Sequence, residues 1–301
     1  MEFAIGGMAA VGAGFFTNPL DVVKCRMQLQ GELQAKGHHA VHYRNVFHAT
    51  YMIVKHDGVL ALQNGLAPAL LVQLVLNGIR LGTFQFIENK GYLNDEIGQR
   101  SHFKTILGGG FSALVGQLVC TPLFLIKTHQ QSQASAVIAV GYQNEKAGLI
   151  KSFVNIYGKH GIKGLYRGGV AGIPRASVGS AAQLGTFNYV KEYIQQYENL
   201  RGHPYVVSFL GSLVGGVAIS IMMTPFDLIL TRICNQPIDK NGRGILYTSY
   251  FDCVKKVYRA EGPAAFYKGI GPMYLRLGPH TVLCLSFWDA LKRLHDKYWS
   301  I

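Results

Sequence analysis

The stretch that decides the fold is Thr17–Gln28, with the sequence TNPLDVVKCRMQ. In it, a long apolar run meets a proline at Pro19, and polar residues follow at regular intervals. Apolar runs meet a proline again at Pro122 and at Pro225, so the spacing is 103 residues both times. A period that is kept to the residue over two intervals indicates three tandem copies of one structural unit.

A second landmark repeats in the same register. A glycine precedes another largely apolar stretch, which ends in an aromatic residue 19 positions later; the pairs are Gly65 with Phe84, Gly168 with Phe187, and Gly269 with Trp288. Each copy therefore contains an apolar helix with a proline, a polar segment with a short amphipathic helix, and a second apolar helix. We expect three repeats over residues 1–98, 99–200 and 201–301.

The composition favours a membrane protein. The net charge is +13, yet only 15% of the residues are charged, against about 25% in soluble domains, and 49% are hydrophobic. That apolar content excludes a disordered chain, and the low number of charges argues against a nucleic-acid-binding surface. We expect an all-α membrane protein with six transmembrane helices in three pseudo-symmetric repeats and short amphipathic helices between them.

The second apolar helix of each repeat contains an arginine, at Arg80, Arg175 or Arg276. An arginine at bilayer depth is costly unless it faces the interior of a bundle or a water-filled cavity. Six amphipathic helices around a wet, cationic centre are the simplest arrangement that satisfies this requirement. Guanidinium groups bind carboxylate and sulfate-like oxygens in a bidentate manner, so the pattern favours an anionic ligand.

The sequence does not favour an enzyme, a metal site or a bound cofactor. The five cysteines are scattered, without a metal-ligand spacing. Gly12-x-Gly14 is a broken dinucleotide fingerprint inside an apolar helix, and the eleven histidines form no arrangement with a nucleophile.

The registered motifs resemble those of the mitochondrial carrier family over essentially the whole chain. The family pattern Pro-x-acid-x-x-base-x-base-x-Gln is complete in the segment that ends at Gln28. The resemblance implies a monomeric six-helix bundle that exchanges solutes across the inner mitochondrial membrane by alternating access. It also implies that the short amphipathic helices lie on the matrix side.

The resemblance further implies a matrix gate, in which the acid of one proline-containing helix meets the base of the next. The pairs would be Asp21 with Lys127 and Asp227 with Lys24. The third pair becomes Phe124 with Leu230, which we expect to form an apolar contact. Because both charges are replaced together, neither position leaves an unpaired charge. The trailing glutamines of the family motif, which brace the ion pairs, are Gln28 and Gln131.

A cytoplasmic gate and a lipid site are implied in the same way. The cytoplasmic gate would use Glu88, Lys191, Asp289 and Lys292, with two ion pairs at most. Anionic lipid, cardiolipin in the family, would bind at the starts of two helices, where a base precedes a glycine. Those residues are Arg167 with Gly168 and Lys268 with Gly269.

The family's substrate contact points correspond to Val72, Arg175 and Arg276. Arg80 adds a further cation, and Gln73 and Asn77 replace the polar contact that Val72 lacks. Stretches such as Asn77–Phe84 resemble the oxaloacetate/sulfate carrier branch and its orphan animal relatives, which implies dicarboxylates, keto acids or sulfur oxoanions as cargo. Two alternatives stay open: Arg80 belongs to a gate network, or the protein is an anion or proton leak of the same fold.

Overall fold

The computed structural model describes residues 2–34, 41–93, 101–180, 182, 204–239 and 242–299. These residues form α-helices and short 3₁₀ turns and, apart from one isolated bridge between Ile238 and Gly244, no β-structure. The α-helices are α1 (Glu2–Leu29), α2 (Val46–Asp57), α3 (Leu66–Asn89), α4 (His102–Gln131), α5 (Leu149–Leu165), α6 (residues 169–180), α7 (Pro204–Asn235), α8 (Tyr250–Glu261) and α9 (Ile270–Trp299).

The helices follow the three-repeat order expected from the sequence. Repeats one and three each have a long helix, a short helix and another long helix, α1 to α3 and α7 to α9. Repeat two has the same order, α4 to α6, and its last helix is described over residues 169–180. The repeated prolines lie inside α1, α4 and α7. Within the described residues, three segments are long and apolar enough to cross a membrane, Val59–Asn89, Leu107–Gln131 and Gly215–Asn235. The predicted fold class is confirmed.

The first and last repeats meet, because α9 packs along α1 while α1 also contacts α3. A small residue permits one close approach between α1 and α9: a Cβ atom at Gly12 would lie 3.0 Å from the ring of Phe287. Small residues let the backbones of membrane helices come close together.

The starts of α3, α6 and α9 share one geometry. Gly65, Gly168 and Gly269 have φ angles of +69°, +86° and +86°, which favour glycine because a Cβ atom would be strained there. Each glycine also abuts the end of the next proline-containing helix. A Cβ atom at Gly65 would lie 2.9 Å from Gln131 Cγ, and one at Gly269 would lie 3.0 Å from Gln28 Cγ.

The short helices α2 and α8 have one buried face and one exposed apolar face. Asn45 and Ser249 cap their first turns through side-chain oxygens. Ile53 and Val257 are fully buried, whereas the rings of Phe47 and Phe251 are about four-fifths exposed. Exposed aromatic rings on a short amphipathic helix are typical of a helix that lies on a membrane surface.

Candidate functional site

Two buried carboxylates tie the proline-containing helices together. Lys127 Nζ of α4 lies 2.8 Å from Asp21 Oδ2 of α1, and Lys24 Nζ of α1 lies 2.8 Å from Asp227 Oδ2 of α7. Pro19 and its counterparts lie inside each helix just before these residues. The structure thus contains both ion pairs that the spacing of the motif predicted.

Each of these carboxylates also meets an arginine. Arg175 Nε of α6 donates to Asp227 Oδ1 at 2.7 Å. Arg276 Nη1 of α9 lies 2.9 Å from Asp21 Oδ1, which is an ion-pair distance without hydrogen-bond alignment. Arg276 Nε is buried and has no hydrogen-bond partner among the described residues. Each acid therefore lies between a lysine and an arginine, a connection that the sequence analysis did not anticipate.

The expected contact between Phe124 and Leu230 is wrong. Phe124 packs with Val72 and Cys120, whereas Leu230 belongs to a separate apolar cluster. The physical reason is Arg175, whose guanidinium carbon lies 5.2 Å from the centroid of the Phe124 ring. The ring supports a cation on its face and does not reach across to α7.

The trailing glutamines Gln28 and Gln131 have different hydrogen-bond partners. Gln28 Nε2 donates to Asp227 Oδ2 at 3.0 Å, and Gln28 Oε1 accepts from Thr231 at 2.8 Å, so Gln28 braces an ion pair as expected. Gln131 Nε2 instead donates to Asn18 Oδ1 at 3.1 Å. The expectation that Gln131 braces the Asp21–Lys127 pair is therefore wrong, because Asn18 takes its amide.

Asn18 is the centre of a polar cluster that the sequence analysis missed. Its side chain is buried, and its Nδ2 donates to Gln63 Oε1 at 3.0 Å. Gln63 Nε2 in turn donates to the carbonyl of Phe15 at 3.2 Å. That carbonyl is the one that Pro19 leaves without a helical partner, since a proline has no N–H for the residue four positions earlier. The position of Pro19, which predicts an unpaired carbonyl at Phe15, was thus the sequence signal that could have indicated this polar cluster.

A cavity of about 320 Å³ opens beside Arg175 among the membrane helices. Arg80 and Gln117 also line it, and Leu76, Met223 and Leu277 form part of its apolar wall. Gln117 Oε1 lies 3.4 Å from Arg175 Nη1. The cavity therefore presents two cations beside an uncharged surface.

The predicted cargo residues do not all line this cavity. Arg276 lies at Asp21, and Gln73 packs toward α1, where a Cβ atom at Gly14 would lie 3.7 Å from Gln73 Cγ. Asn77 is half-buried in α3 and is not part of the cavity lining. Among the described residues, Asp21 and Asp227 contact Arg276 and Arg175, and the alternative that Arg80 belongs to a gate network stays a prediction.

The cytoplasmic-gate residues lie near the ends of their helices. Glu88 is exposed near the end of α3, and Asp289 is half-buried in α9. Lys292 Nζ lies 4.8 Å from the centroid of the Trp288 ring. Lys191 lies outside the described residues, so the pairing within this group stays a prediction.

Both bases of the predicted lipid site point inward. Lys268 Nζ donates to the carbonyl of Gln30 at 2.8 Å and to Glu261 Oε2 at 2.6 Å. Arg167 Nη2 donates to the carbonyl of Cys234 at 2.7 Å. Helix ends leave carbonyls without partners, and these two side chains satisfy them. The bases therefore hold neighbouring helices, and what remains exposed beside them includes the rings of Tyr166 and Tyr267.

Two fully buried arginines anchor the matrix-side helices α2 and α8. Arg26 Nη1 lies 2.6 Å from Asp57 Oδ2, and Arg232 Nη1 lies 2.5 Å from Glu261 Oε1. Burial raises the pKa of the Glu261 carboxyl, but hydrogen bonds from Arg232 and Lys268 outweigh it and leave that pKa below its ordinary value. Both carboxylates are therefore held ionised at neutral pH.

Sequence comparisons extend the picture beyond single residues. The profile described as "Mitochondrial carrier protein" matches residues 1–93, 98–198 and 201–298. Solute carrier family 25 member 35 of Mus musculus is 47% identical over 298 residues, which is 99% of each chain.

More distant relatives have names that state a cargo. The mitochondrial oxaloacetate transport protein of Saccharomyces cerevisiae is 36% identical, over 97% of this chain and 89% of its own length. The mitochondrial citrate transporter E of Aspergillus niger is 34% identical, over 99% of this chain and 96% of its own.

Proposed function

Because the chain belongs to the mitochondrial carrier family, whose members are transporters of the inner mitochondrial membrane, we propose that it exchanges small organic anions across that membrane by alternating access. The proposed cargo is a dicarboxylate or keto acid of the size of oxaloacetate or malate, with sulfur oxoanions as a further class. The relatives named for oxaloacetate and citrate support this cargo class.

The observation that carries the proposal is the sharing of Asp21 and Asp227 between a gate lysine and a cargo arginine. Together the two acids, Lys24, Lys127 and the two arginines have a formal charge of +2. A dicarboxylate of charge −2 would neutralise that excess. Uncompensated charge in a partly dry cavity is costly, so a dianion is the cargo that the cluster favours.

The same sharing suggests how cargo opens the matrix gate. A cargo carboxylate that accepts hydrogen bonds from Arg175 competes with Asp227 for one guanidinium. A second carboxylate at Arg276 competes with Asp21, and the buried Nε of Arg276 offers it a donor that the described residues do not use. Cargo would thereby weaken the hold of α6 on α7 and of α9 on α1, leaving the two lysine pairs as the remaining locks.

Arg80 is proposed to attract and orient the anion at the cavity wall. It lines the cavity together with Arg175 and contributes a cation that no described carboxylate engages. A cationic, partly apolar cavity raises the local concentration of anions. In this scheme Asn77 and Gln73 contribute to cargo recognition only after the helices rearrange.

The remaining sites complete the proposed cycle. Glu88, Lys191, Asp289 and Lys292 would close the cytoplasmic side when the matrix side opens. Anionic lipid would bind where the starts of α6 and α8 meet, at a cavity of about 620 Å³ between Tyr166–Gly168 and Thr248–Tyr250, and the corresponding site would lie at Lys268 and Gly269. Since residues of a single chain line the cavity beside Arg175, we propose that the monomer transports.

Uptake by liposomes that contain the purified protein tests this function. Labelled malate, oxaloacetate, sulfate and ATP are offered with and without internal counter-substrate. The proposal predicts uptake of the dicarboxylates that requires internal substrate. Uptake of ATP alone would overturn the cargo class, and equal uptake without counter-substrate would indicate a leak instead of exchange.

A further inference from the structure

Repeats one and three each place a carboxylate on the matrix side that repeat two lacks. In repeat one, Asp57 lies 2.6 Å from Arg26. In repeat three, Glu261 binds two cations at once, Arg232 at 2.5 and 2.9 Å and Lys268 at 2.6 Å. In repeat three the carboxylate therefore joins a buried base of the proline-containing helix to the start of the next membrane helix.

The corresponding positions of repeat two hold His129 and His160, so both partners of the ion pair are replaced. Arg167 occupies the position of Lys268. Its Nη2 donates to the carbonyl of Cys234 at 2.7 Å and lies 3.2 Å from His129 Nε2, which itself lies 2.9 Å from the same carbonyl. Repeat two thus keeps a cation at this place but provides histidine in place of the acid.

Three nitrogen atoms around this place lack a partner. Arg167 Nε, Arg167 Nη1 and His160 Nδ1 are buried, and none of them has a hydrogen bond to any residue that the structure describes. Burial lowers the pKa of the Arg167 guanidinium, which is the direction expected for a cation without a nearby carboxylate. Leaving buried guanidinium groups unpaired is costly, so these atoms point to a ligand.

We propose that Arg167, His129 and His160 form a matrix-side site for a small anion from solution, such as inorganic phosphate or the carboxylate of a small metabolite. The anion would take the place that the carboxylate of Glu261 takes beside Lys268 in repeat three. A cavity of about 150 Å³ adjoins the site; its lining includes His129 and His160 together with the ion pair of Lys159 and Glu145. Binding would link α4 to the start of α6, as Glu261 links α7 to the start of α9 in repeat three.

The site is separate from the cargo site, so the inference does not depend on the proposed exchange activity. A lipid phosphate group has the same chemistry, because Arg167 also lines the larger cavity at Tyr166 and Tyr250. The adjoining cavity at His129 and His160 favours a free anion. The two sources must be separated by experiment.

The test uses the full-length protein in detergent, free of cardiolipin, and follows thermal unfolding at constant ionic strength with increasing inorganic phosphate. His160→Glu supplies the missing carboxylate, and His160→Gln is its neutral control. We expect phosphate to raise the unfolding temperature of the wild-type protein by about 2–4 °C, and that of His160→Gln by less, because Arg167 and His129 remain. His160→Glu should start from a higher unfolding temperature and should show no such phosphate-dependent rise.

If His160→Glu fails to fold, Arg167→Gln provides a second test. Arg167→Gln removes the cation and should abolish the phosphate response. Arg167→Lys keeps a cation and should retain part of that response. An equal response in all variants would place phosphate at another site and overturn the proposal. No response in the wild-type protein would also overturn it. Stabilisation by added cardiolipin but not by phosphate would assign Arg167 to a lipid headgroup instead.

Discussion

Arg175 Nε donates to Asp227 Oδ1 at 2.7 Å, so a residue proposed to bind cargo on one helix holds a gate carboxylate on another. Arg276 Nη1 lies 2.9 Å from Asp21 Oδ1, so the other carboxylate has an arginine at an ion-pair distance. The residues proposed for the cargo site and for the matrix gate therefore form one connected cluster of charges. A substitution of a proposed gate residue should therefore change cargo binding, and a substitution of a proposed cargo residue should change the ion pairs of the gate.

Arg175→Gln and Arg276→Gln should each lower exchange by about 10–100-fold, because each removes charge-assisted hydrogen bonds to the cargo. Initial rates in proteoliposomes measure the effect. Arg44→Gln, which removes an exposed arginine outside the cavity, is the matched control. If the Arg175 or the Arg276 variant exchanged like the control while remaining folded, the assignment of that arginine would be wrong.

Phe124→Asp should raise the KM for cargo by about tenfold or more. The new carboxylate would lie beneath the Arg175 guanidinium, which now lies 5.2 Å from the ring centroid, and would compete with the cargo for it. Phe124→Leu removes the ring without adding a charge and should change KM much less. Similar KM values for the two variants would contradict the competition.

Asn18→Ala should destabilise the protein by about 1–3 kcal/mol, because it leaves the amides of Gln63 and Gln131 without their buried partner. Thermal unfolding of the purified protein measures the loss. Asn89→Ala, at the exposed end of α3, serves as the control and should change stability by less than about 0.5 kcal/mol. Equal thermal unfolding midpoints for the two variants would contradict the role of Asn18 as the centre of the polar cluster.

Acid should release the Glu261 anchor. The pKa of Glu261 in the folded protein lies below its ordinary value of 4.5, so its stabilising contribution is complete above about pH 4.5 and is lost as the pH falls through the lowered pKa. Glu261→Gln should cost about 3–5 kcal/mol at pH 7, because Arg232 stays buried without its partner. Unfolding curves between pH 3 and pH 7 should therefore converge at the acid end. A constant difference between the two proteins over that range would contradict this role.

The architecture was predictable because proline and glycine act through the backbone. Pro19 and Gly65 recur in register, and the structure places their counterparts inside the long helices and at left-handed helix starts. The ion pairs of Asp21 and Asp227 were also predictable, since repeat symmetry places each acid beside one particular lysine.

The second partner of each acid was not predictable. Arg175 and Arg276 reach the gate through long side chains, and no spacing within one helix reveals which of two neighbouring groups such a chain will meet. The same uncertainty explains why Phe124 and Leu230 were paired wrongly. Repeat symmetry placed them together, but the guanidinium of Arg175 occupies the face of the ring.

The most direct test of the shared charge cluster is the affinity for malate or oxaloacetate after Asp227→Asn, measured by isothermal titration calorimetry on the purified protein. The substitution frees Arg175 from its internal carboxylate, so cargo no longer has to displace it. Our account predicts that the Kd falls by about tenfold or more, a gain of at least about 1.4 kcal/mol. An unchanged or higher Kd in a folded Asp227→Asn protein would contradict it.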